Sequence, residues 1–185
     1  MKNLGTGSLI YAGIGSRSTP EAILRIMEEF AYKMSKYATL RSGGAPGADH
    51  AFYKGAIRGC KEFKLDIAKK IEIYLPWEGF NSYNSKDPGI YNTIPYGAYI
   101  LAEKFHPSYN SLIDSSKKLM ARNSMQVLGR ILNDKVDFII CYTNDGNASG
   151  GTGQALRMAK EYNIKVYNLY YAKDFKTIKG IITDL

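Results

Sequence analysis

The sequence contains little cysteine, histidine and tryptophan. Its 185 residues include 2 Cys, 2 His and 1 Trp. A disulfide-stapled fold is excluded, because small domains of that kind are rich in cysteine. Cys60 and Cys141 lie far apart without C-x-x-C spacing, and we expect both to be buried free thiols. The scattered Cys and His residues do not supply the ligand spacing of a metal centre, so no metal and no cofactor are expected.

The sequence also lacks a long apolar run. No stretch approaches the ~18 apolar residues that a membrane helix needs. Residues 1–5 do not form the apolar core of a signal peptide. Together with the scarcity of cysteine, these absences predict a cytoplasmic protein that does not interact with membranes.

Negatively charged residues are fewer than positively charged ones. Lys and Arg number 25 against 17 Asp and Glu, which gives a net charge of +8. The hydrophobic fraction of 45% and the charged fraction of 23% are ordinary for a globular protein. Length and composition predict a single domain over residues 1–185. The excess of positive charge favours an anionic partner such as a nucleotide or a nucleic acid.

The hydrophobic pattern predicts an α/β fold. Short apolar runs, typical of strands buried on both faces, alternate with segments of helical periodicity. This order predicts a Rossmann-like, open and mostly parallel sheet with helices on both faces. A long irregular loop is expected over residues 76–98, near the pocket. The predicted strands are 8–14, 38–42, 70–75, 136–142 and 165–169, and the predicted helices begin at Pro20 and Pro46 or span 108–133, 152–162 and 174–185.

The helix that begins at Pro46 has one face of small residues. These positions recur at helical spacing, so the face predicts very close packing of the helix on the sheet. They are Ala48, Ala51, Phe52, Gly55, Ala56 and Gly59.

Glycine-rich turns follow three of the predicted strands and lead into helices. Ligands of such sheets bind at the carboxyl ends of the strands. Glycine permits close approach of the backbone, and a helix N-terminus offers N–H groups to an anion. The turns match neither a Walker A loop nor the G-x-G-x-x-G fingerprint. The expected ligand contacts in these turns are Gly13, Gly15, Ser16, Arg17, Ser42, Gly43, Gly44, Gly47, Ala48, Asp49, Thr143, Gly150, Gly151, Thr152, Gly153 and Gln154.

Other side chains are candidates with open alternatives. Trp77 and Phe80 could stack on a base or fill a small satellite core. His106 could form a pocket wall or act as an acid or base. Asp49 could bind a ribose hydroxyl or favour the helix dipole. Lysine-rich stretches, at residues 61–70 and 173–179, fit either a solvated face or contacts with DNA.

Four motifs occur in the order found in the SLOG superfamily. They are Gly-Ser-Arg at 15–17, Ser-Gly-Gly-Ala-Pro-Gly-Ala-Asp at 42–49, Ala-Arg-Asn at 121–123 and Ser-Gly-Gly-Thr-Gly-Gln-Ala at 149–155. The chain most resembles small DprA (Smf)-like proteins, often encoded by phages, and more distantly the LOG phosphoribohydrolases. The resemblance implies a nucleotide-binding pocket, ligand contacts from Arg122, Asn123 and Gln126, and a homo-oligomer.

Three functions follow as hypotheses. The first is binding of a nucleotide or nucleotide-derived ligand, such as a phosphorylated nucleoside or an ADP-ribose-type signal, by a sensor, sponge or processing factor. The second, implied by the resemblance to DprA, is binding of single-stranded DNA in DNA processing or recombination. The third is LOG-like hydrolysis of an N-glycosidic bond. The acidic residue that LOG enzymes carry after the glycine loop is absent at 154–157, so the catalytic candidates would be Asp49, His106 and Glu78, or else Glu103 or Asp145.

Overall fold

The chain forms an open parallel sheet. A computed structural model describes residues 9–185, which leaves Ser8, the first residue of the predicted strand 8–14, outside the described part. Six strands pair in parallel within that range, in the order β4-β3-β2-β1-β5-β6. They are β1 (Leu9–Gly13), β2 (Ala38–Ser42), β3 (Ile71–Tyr74), β4 (Ile90–Tyr91), β5 (Phe138–Cys141) and β6 (Lys165–Asn168).

Helices cover both faces of the sheet. One core joins the sheet to α1, α2 and α7, while the opposite face packs mainly against α4, α5 and α6. This arrangement confirms the predicted Rossmann-like class. None of the helices between residues 9 and 185 combines the length and apolarity needed to cross a bilayer. The helices are α1 (Glu21–Met34), α2 (Ala48–Glu62), α3 (Ile67–Lys70), α4 (Tyr96–Phe105), α5 (Asp114–Leu128), α6 (Gly150–Glu161) and α7 (Ala172–Asp184).

The strand order reverses next to β1. From β1 the chain proceeds through β2, β3 and β4 on one side, and then returns to place β5 and β6 on the other. The loops that leave β1 and β5 therefore diverge to opposite faces of the sheet. This divergence opens a crevice at the carboxyl ends of the strands, which is where open α/β sheets bind ligands.

Two segments differ from the sequence prediction. Residues 76–98 contain a turn of 3-10 helix (Phe80–Ser82), the edge strand β4 and the start of α4, so they are more regular than the expected loop. The sequence does not predict β4, because a strand of two residues among Pro, Gly and Asn is too short to show a periodic hydrophobic pattern. The predicted helix 108–133 is shorter, because a 3-10 turn precedes α5 and Gly129, with φ of +77°, ends it.

The small face of α2 packs partly on a helix instead of the sheet. A Cβ at Gly55 would overlap the Glu28 carbonyl oxygen and lie 3.0 Å from the Cβ of Ala31, both in α1. A Cβ at Gly59 would likewise overlap atoms of the last turn of α1 and of Ser35. Phe52, in contrast, packs against Gly13 of β1. The prediction of close packing on the sheet was thus wrong for the two glycines, because α1 and α2 lie side by side on one face.

A buried arginine in β2 holds the loop after α5. The Nε of Arg41 donates to Glu72 Oε2 at 2.6 Å, and its Nη2 donates to Asp134 Oδ2 at 2.6 Å. Because buried charge is costly unless it is paired, these carboxylates account for an arginine inside the sheet layer. The contact fixes the path by which the chain leaves α5 and enters β5.

The α1–α2 packing generates a prediction. Gly55→Ala should lower the free energy of unfolding by about 1–3 kcal/mol, because the added methyl forces the two helices apart. Gly180→Ala in α7 is the matched control, since nothing lies within 4 Å of its would-be Cβ. It should be neutral or stabilising, as alanine is the better helix former. Urea denaturation measures both, and equal effects of the two substitutions would contradict the packing described.

Candidate functional site

A cavity of about 560 Å³ lies at the carboxyl edge of the sheet. It sits at the strand-order reversal, between the loops that follow β1 and β5. Helix α5 forms one wall, and the first turn of α6 forms another. The lining residues are Ile14, Gly15, Ser16, Arg17, Ala45, Asp49, Leu119, Met120, Arg122, Asn123, Gln126, Thr143, Asn144, Asp145, Ser149, Gly150, Gly151 and Thr152.

An ion pair lies in the wall of this cavity. Arg122 Nη1 donates to Asp49 Oδ2 at 3.2 Å, and the side chains are only 4% and 5% exposed. Burial raises the pKa of Asp49 against the opposing effect of Arg122, and burial lowers the pKa of Arg122. The guanidinium nevertheless stays protonated at neutral pH. The pair thus places a fixed positive charge beside the cavity, partly neutralised by one carboxylate.

Gln126 and Gly43 hold the guanidinium in position. The Gln126 amide is best satisfied with its oxygen toward Arg122 Nη1 at 3.1 Å and the Gly43 N–H at 2.8 Å, while its nitrogen donates to Asn123 Oδ1 at 3.1 Å. A Cβ at Gly43 would overlap Arg122 Nη1. Glycine is therefore required at 43 for space, since any side chain there would displace the guanidinium.

The guanidinium includes a buried donor without a partner in the described part of the chain. Arg122 Nε is buried and has no hydrogen-bond partner among residues 9–185. Buried donors are almost always satisfied in folded proteins, by protein groups, by water or by a ligand. Arg122 also lines the cavity, and its positive charge favours an anionic ligand there.

The first turn of α6 adds further donors. Ser149, Gly150, Gly151 and Thr152 all line the cavity, and the first amides of a helix have no acceptor inside the helix. The helix dipole adds partial positive charge at this end. Asn123 Nδ2 donates to the Gly151 carbonyl oxygen at 3.2 Å, which couples α5 to this turn. These groups form the kind of environment that holds a phosphate.

Eleven of the predicted contact residues meet at this cavity. They are Gly15, Ser16, Arg17, Asp49, Arg122, Asn123, Gln126, Thr143, Gly150, Gly151 and Thr152. Arg17 is exposed and Ser16 half-buried, so both lie toward the opening. The structure thus brings these eleven residues together around one cavity.

The other predicted contacts lie behind the cavity wall. Ser42 Oγ donates to the Gly13 carbonyl oxygen at 2.6 Å. Gln154 Nε2 donates to the Met120 carbonyl oxygen at 2.9 Å and to Ser124 Oγ at 3.1 Å. The remaining residues, Gly44, Gly47, Ala48 and Gly153, allow the turns to pack closely against neighbouring backbone or side chains. Their role in the structure is to shape the loops that form the site.

The aromatic candidates and the catalytic candidate Glu78 lie outside the cavity lining. Trp77 is exposed and packs edge-to-face on Phe80. The Cζ atom of Arg122 lies 5.8 Å from the centroid of the Phe80 ring. Glu78 accepts hydrogen bonds from Ser85 and Asn92, which lower its pKa.

His106 ends α4, where burial and Arg157 lower its pKa. Glu103 is exposed on the same helix and also lies outside the lining. The carboxylates among the described lining residues are Asp49 and Asp145, and hydrogen bonds from Asn147 lower the pKa of Asp145. Between residues 9 and 185 no cluster of His, Cys, Asp or Glu could hold a metal ion.

Sequence reasoning missed part of the lining. Leu119 and Met120 form an apolar wall, and Asn144 follows β5, where its Nδ2 donates to Ser18 Oγ at 2.9 Å. The sequence does not distinguish an apolar helix residue that faces a cavity from one that faces the core. The position of Asn144 directly after a buried strand was the signal that could have placed it. Asp145, a catalytic candidate from the sequence, lies in the lining beside it. Ile14, Ala45 and Ser149 complete the missed residues.

Comparison with solved structures identifies the fold. DNA processing protein A from Helicobacter pylori, described for its unique single-stranded DNA binding mode, is similar with a TM-score of 0.57. The match covers 96% of this chain and 81% of that one, at 15% identity. The chain has a DprA-like fold. DNA processing protein A from Streptococcus pneumoniae matches with a TM-score of 0.47 and 14% identity, over 86% of this chain and 49% of that one. No protein-family model matches the sequence, and no curated protein is similar to it by sequence.

The buried ion pair generates a stability prediction. Arg122→Met should lower the free energy of unfolding by about 3–5 kcal/mol, because it leaves Asp49 buried without its counter-charge. Adding Asp49→Leu should recover most of the loss, since an apolar pair no longer carries a desolvated charge. Arg17→Met, at an exposed position, should change stability little. A cost below about 1 kcal/mol for Arg122→Met in chemical denaturation would contradict the assigned pairing.

Proposed function

We propose that the cavity binds a phosphate of a nucleic-acid strand and that the chain is a single-stranded DNA-binding protein of the SLOG superfamily. The observation that carries the proposal is the buried guanidinium of Arg122, whose Nε has no partner within residues 9–185 and which borders the cavity beside the first turn of α6. A phosphate in the cavity can accept hydrogen bonds from the guanidinium and from the first amides of α6. The exposed guanidinium of Arg17 can bind from the opening.

The charge distribution favours a strand over an isolated phosphate. The net charge is +8, far more than one ligand phosphate can balance. Lys173 and Lys176 are exposed near the start of α7, directly after β6, and thus lie toward the same edge of the sheet as the cavity. Lys61 and Lys69 lie before β3, at the opposite edge. The similarity in fold to the Helicobacter pylori protein, itself a single-stranded DNA binder by its description, supports the same assignment.

The lining favours a single strand over a duplex. Ile14, Leu119 and Met120 provide apolar wall beside the polar groups. A duplex keeps its bases stacked inside and presents mainly its backbone, so it leaves such walls without a partner. A flexible single strand can place a sugar or a base against them while its phosphate binds Arg122.

Fluorescence anisotropy tests the proposal directly. A labelled thymidine oligonucleotide of about 15 nucleotides should bind more tightly than a duplex of equal length, and affinity should fall steeply with salt. Arg17→Ala should weaken binding about tenfold and lower the salt slope by about one, since it removes one phosphate contact. Lys61→Gln, an exposed cation at the other edge of the sheet, should leave affinity nearly unchanged.

Two results would contradict the proposal. One is the absence of salt-sensitive oligonucleotide binding by the wild-type protein. The other is an equal loss of affinity in Arg17→Ala and Lys61→Gln, which would indicate diffuse attraction without a site.

A nucleotide-derived small molecule is the second candidate ligand. The observation that favours it is the volume of about 560 Å³, which is within the range of small-molecule sites, about 300–1,000 Å³. Mass spectrometry of the denatured protein would identify a co-purifying nucleotide, and AMP or ADP-ribose would raise the melting temperature by mass action. Such stabilisation without oligonucleotide binding would favour a sensor or sponge of nucleotides.

The resemblance to SLOG proteins also implies self-association. Light scattering of the purified protein over a range of concentrations tests this part of the proposal. A mass equal to one chain at every concentration would contradict it.

A further inference from the structure

Two adjacent exposed tyrosines occupy the turn between β6 and α7. Tyr170 is 46% exposed and Tyr171 is 49% exposed, and their rings meet edge-to-face with centroids 5.4 Å apart. Single exposed aromatics are common on protein surfaces. Here the two rings lie together at the carboxyl edge of the sheet, the edge that carries the cavity.

The rings pack against the loop that lines the cavity. Tyr171 Oη donates to the Gly146 carbonyl oxygen at 3.0 Å. A Cβ at Gly146 would lie 2.8 Å from Tyr170 Cδ1 and 2.8 Å from Tyr171 Oη, so the rings cover this glycine closely. Gly146 directly follows Asp145, which lines the cavity. The tyrosines are thus separated from the cavity by the width of one loop.

A buried asparagine holds the turn and the loop together. Asn168 Nδ2 donates to Thr143 Oγ1 at 2.8 Å, and Asn168 Oδ1 accepts from the Thr143 N–H at 3.3 Å and from the Tyr170 N–H at 3.2 Å. Thr143 lines the cavity. The spacing between the rings and the cavity is therefore set by hydrogen bonds before any ligand arrives, which lowers the entropic cost of binding.

Positive charge continues beyond the rings. Lys173 and Lys176 are exposed on α7, at the spacing that places them on one helix face. Three features thus follow one another along this edge of the sheet: the cavity as the proposed phosphate site, the tyrosines as an aromatic surface, and the lysines as further cations. Proteins that bind single strands combine these elements, since bases stack on aromatic rings while cations follow the backbone.

From this succession we infer that Tyr170 and Tyr171 form a base-stacking platform. It takes the base of the nucleotide next to the one whose phosphate lies in the cavity, and the strand then passes Lys173 and Lys176. The inference rests on the proposed function. It assigns the stacking role to this turn and not to Trp77, whose ring packs on Phe80 away from the cavity lining.

The test compares two ligands and matched tyrosine variants. Anisotropy or titration calorimetry measures binding of the thymidine oligonucleotide and of 5′-dTMP. Tyr170→Ala should weaken oligonucleotide binding about tenfold, within the range for one base stacked on an aromatic ring, and leave 5′-dTMP binding unchanged. Tyr170→Phe should retain affinity, because the ring remains. Tyr37→Ala is the control, since Tyr37 is 40% exposed and directly precedes β2, at the opposite edge of the sheet.

Gly146→Ala supplies a second variant that keeps both tyrosines. Its methyl would contact both rings, and alanine also strains the loop at this φ of +75°, so oligonucleotide binding should fall as it does in Tyr170→Ala. Melting temperatures of all variants report whether the fold is intact.

Each outcome decides between the two claims. Failure of the wild-type protein to bind the oligonucleotide overturns the proposed function and this inference with it. Oligonucleotide binding that survives Tyr170→Ala to within about twofold overturns the platform alone. A loss for 5′-dTMP as large as for the oligonucleotide overturns the assignment to the neighbouring nucleotide.

Discussion

The buried ion pair between Asp49 and Arg122 is the contact on which the site depends. It joins the first turn of α2 to the middle of α5, and these helices belong to opposite faces of the sheet. The two can meet only beyond the carboxyl ends of the strands, where the strand order reverses. Gly43 supplies the space for the guanidinium, and Gln126 supplies an acceptor for it. Burying two charges is costly, so such a pair contributes position more than stability.

That position explains the chemistry of the cavity. A guanidinium held by a carboxylate and an amide cannot turn away, and Arg122 stays in the lining of the cavity. An anion that binds there does not have to order a flexible side chain first. The first turn of α6, coupled to α5 through Asn123 and Gly151, brings helix amides to the same space. The proposed phosphate site thus combines three elements that are distant along the chain.

The sequence allowed the fold and the centre of this site to be predicted for one reason. Buried strands such as β5 and glycine turns such as 42–47 carry local signals, and topology then places the turns at one edge of the sheet. Elements without such local signals were not predicted, and these include the two-residue strand β4 and helix α4. Whether a candidate lines the cavity depends on tertiary contacts: Gln154 is a buried amide that donates to the Met120 carbonyl oxygen, and Trp77 and His106 lie outside the lining. Tyr170 and Tyr171 gave no sequence signal, because the role proposed for them depends on their packing against Gly146.

The central claim is that Arg122 binds a phosphate of a single strand. A crystal structure of the protein with a short thymidine oligonucleotide tests it most directly. A phosphate oxygen is expected about 2.7–2.9 Å from a guanidinium nitrogen of Arg122, the length of a charge-assisted hydrogen bond. An oligonucleotide bound elsewhere on the surface, with only water beside Arg122, would contradict it.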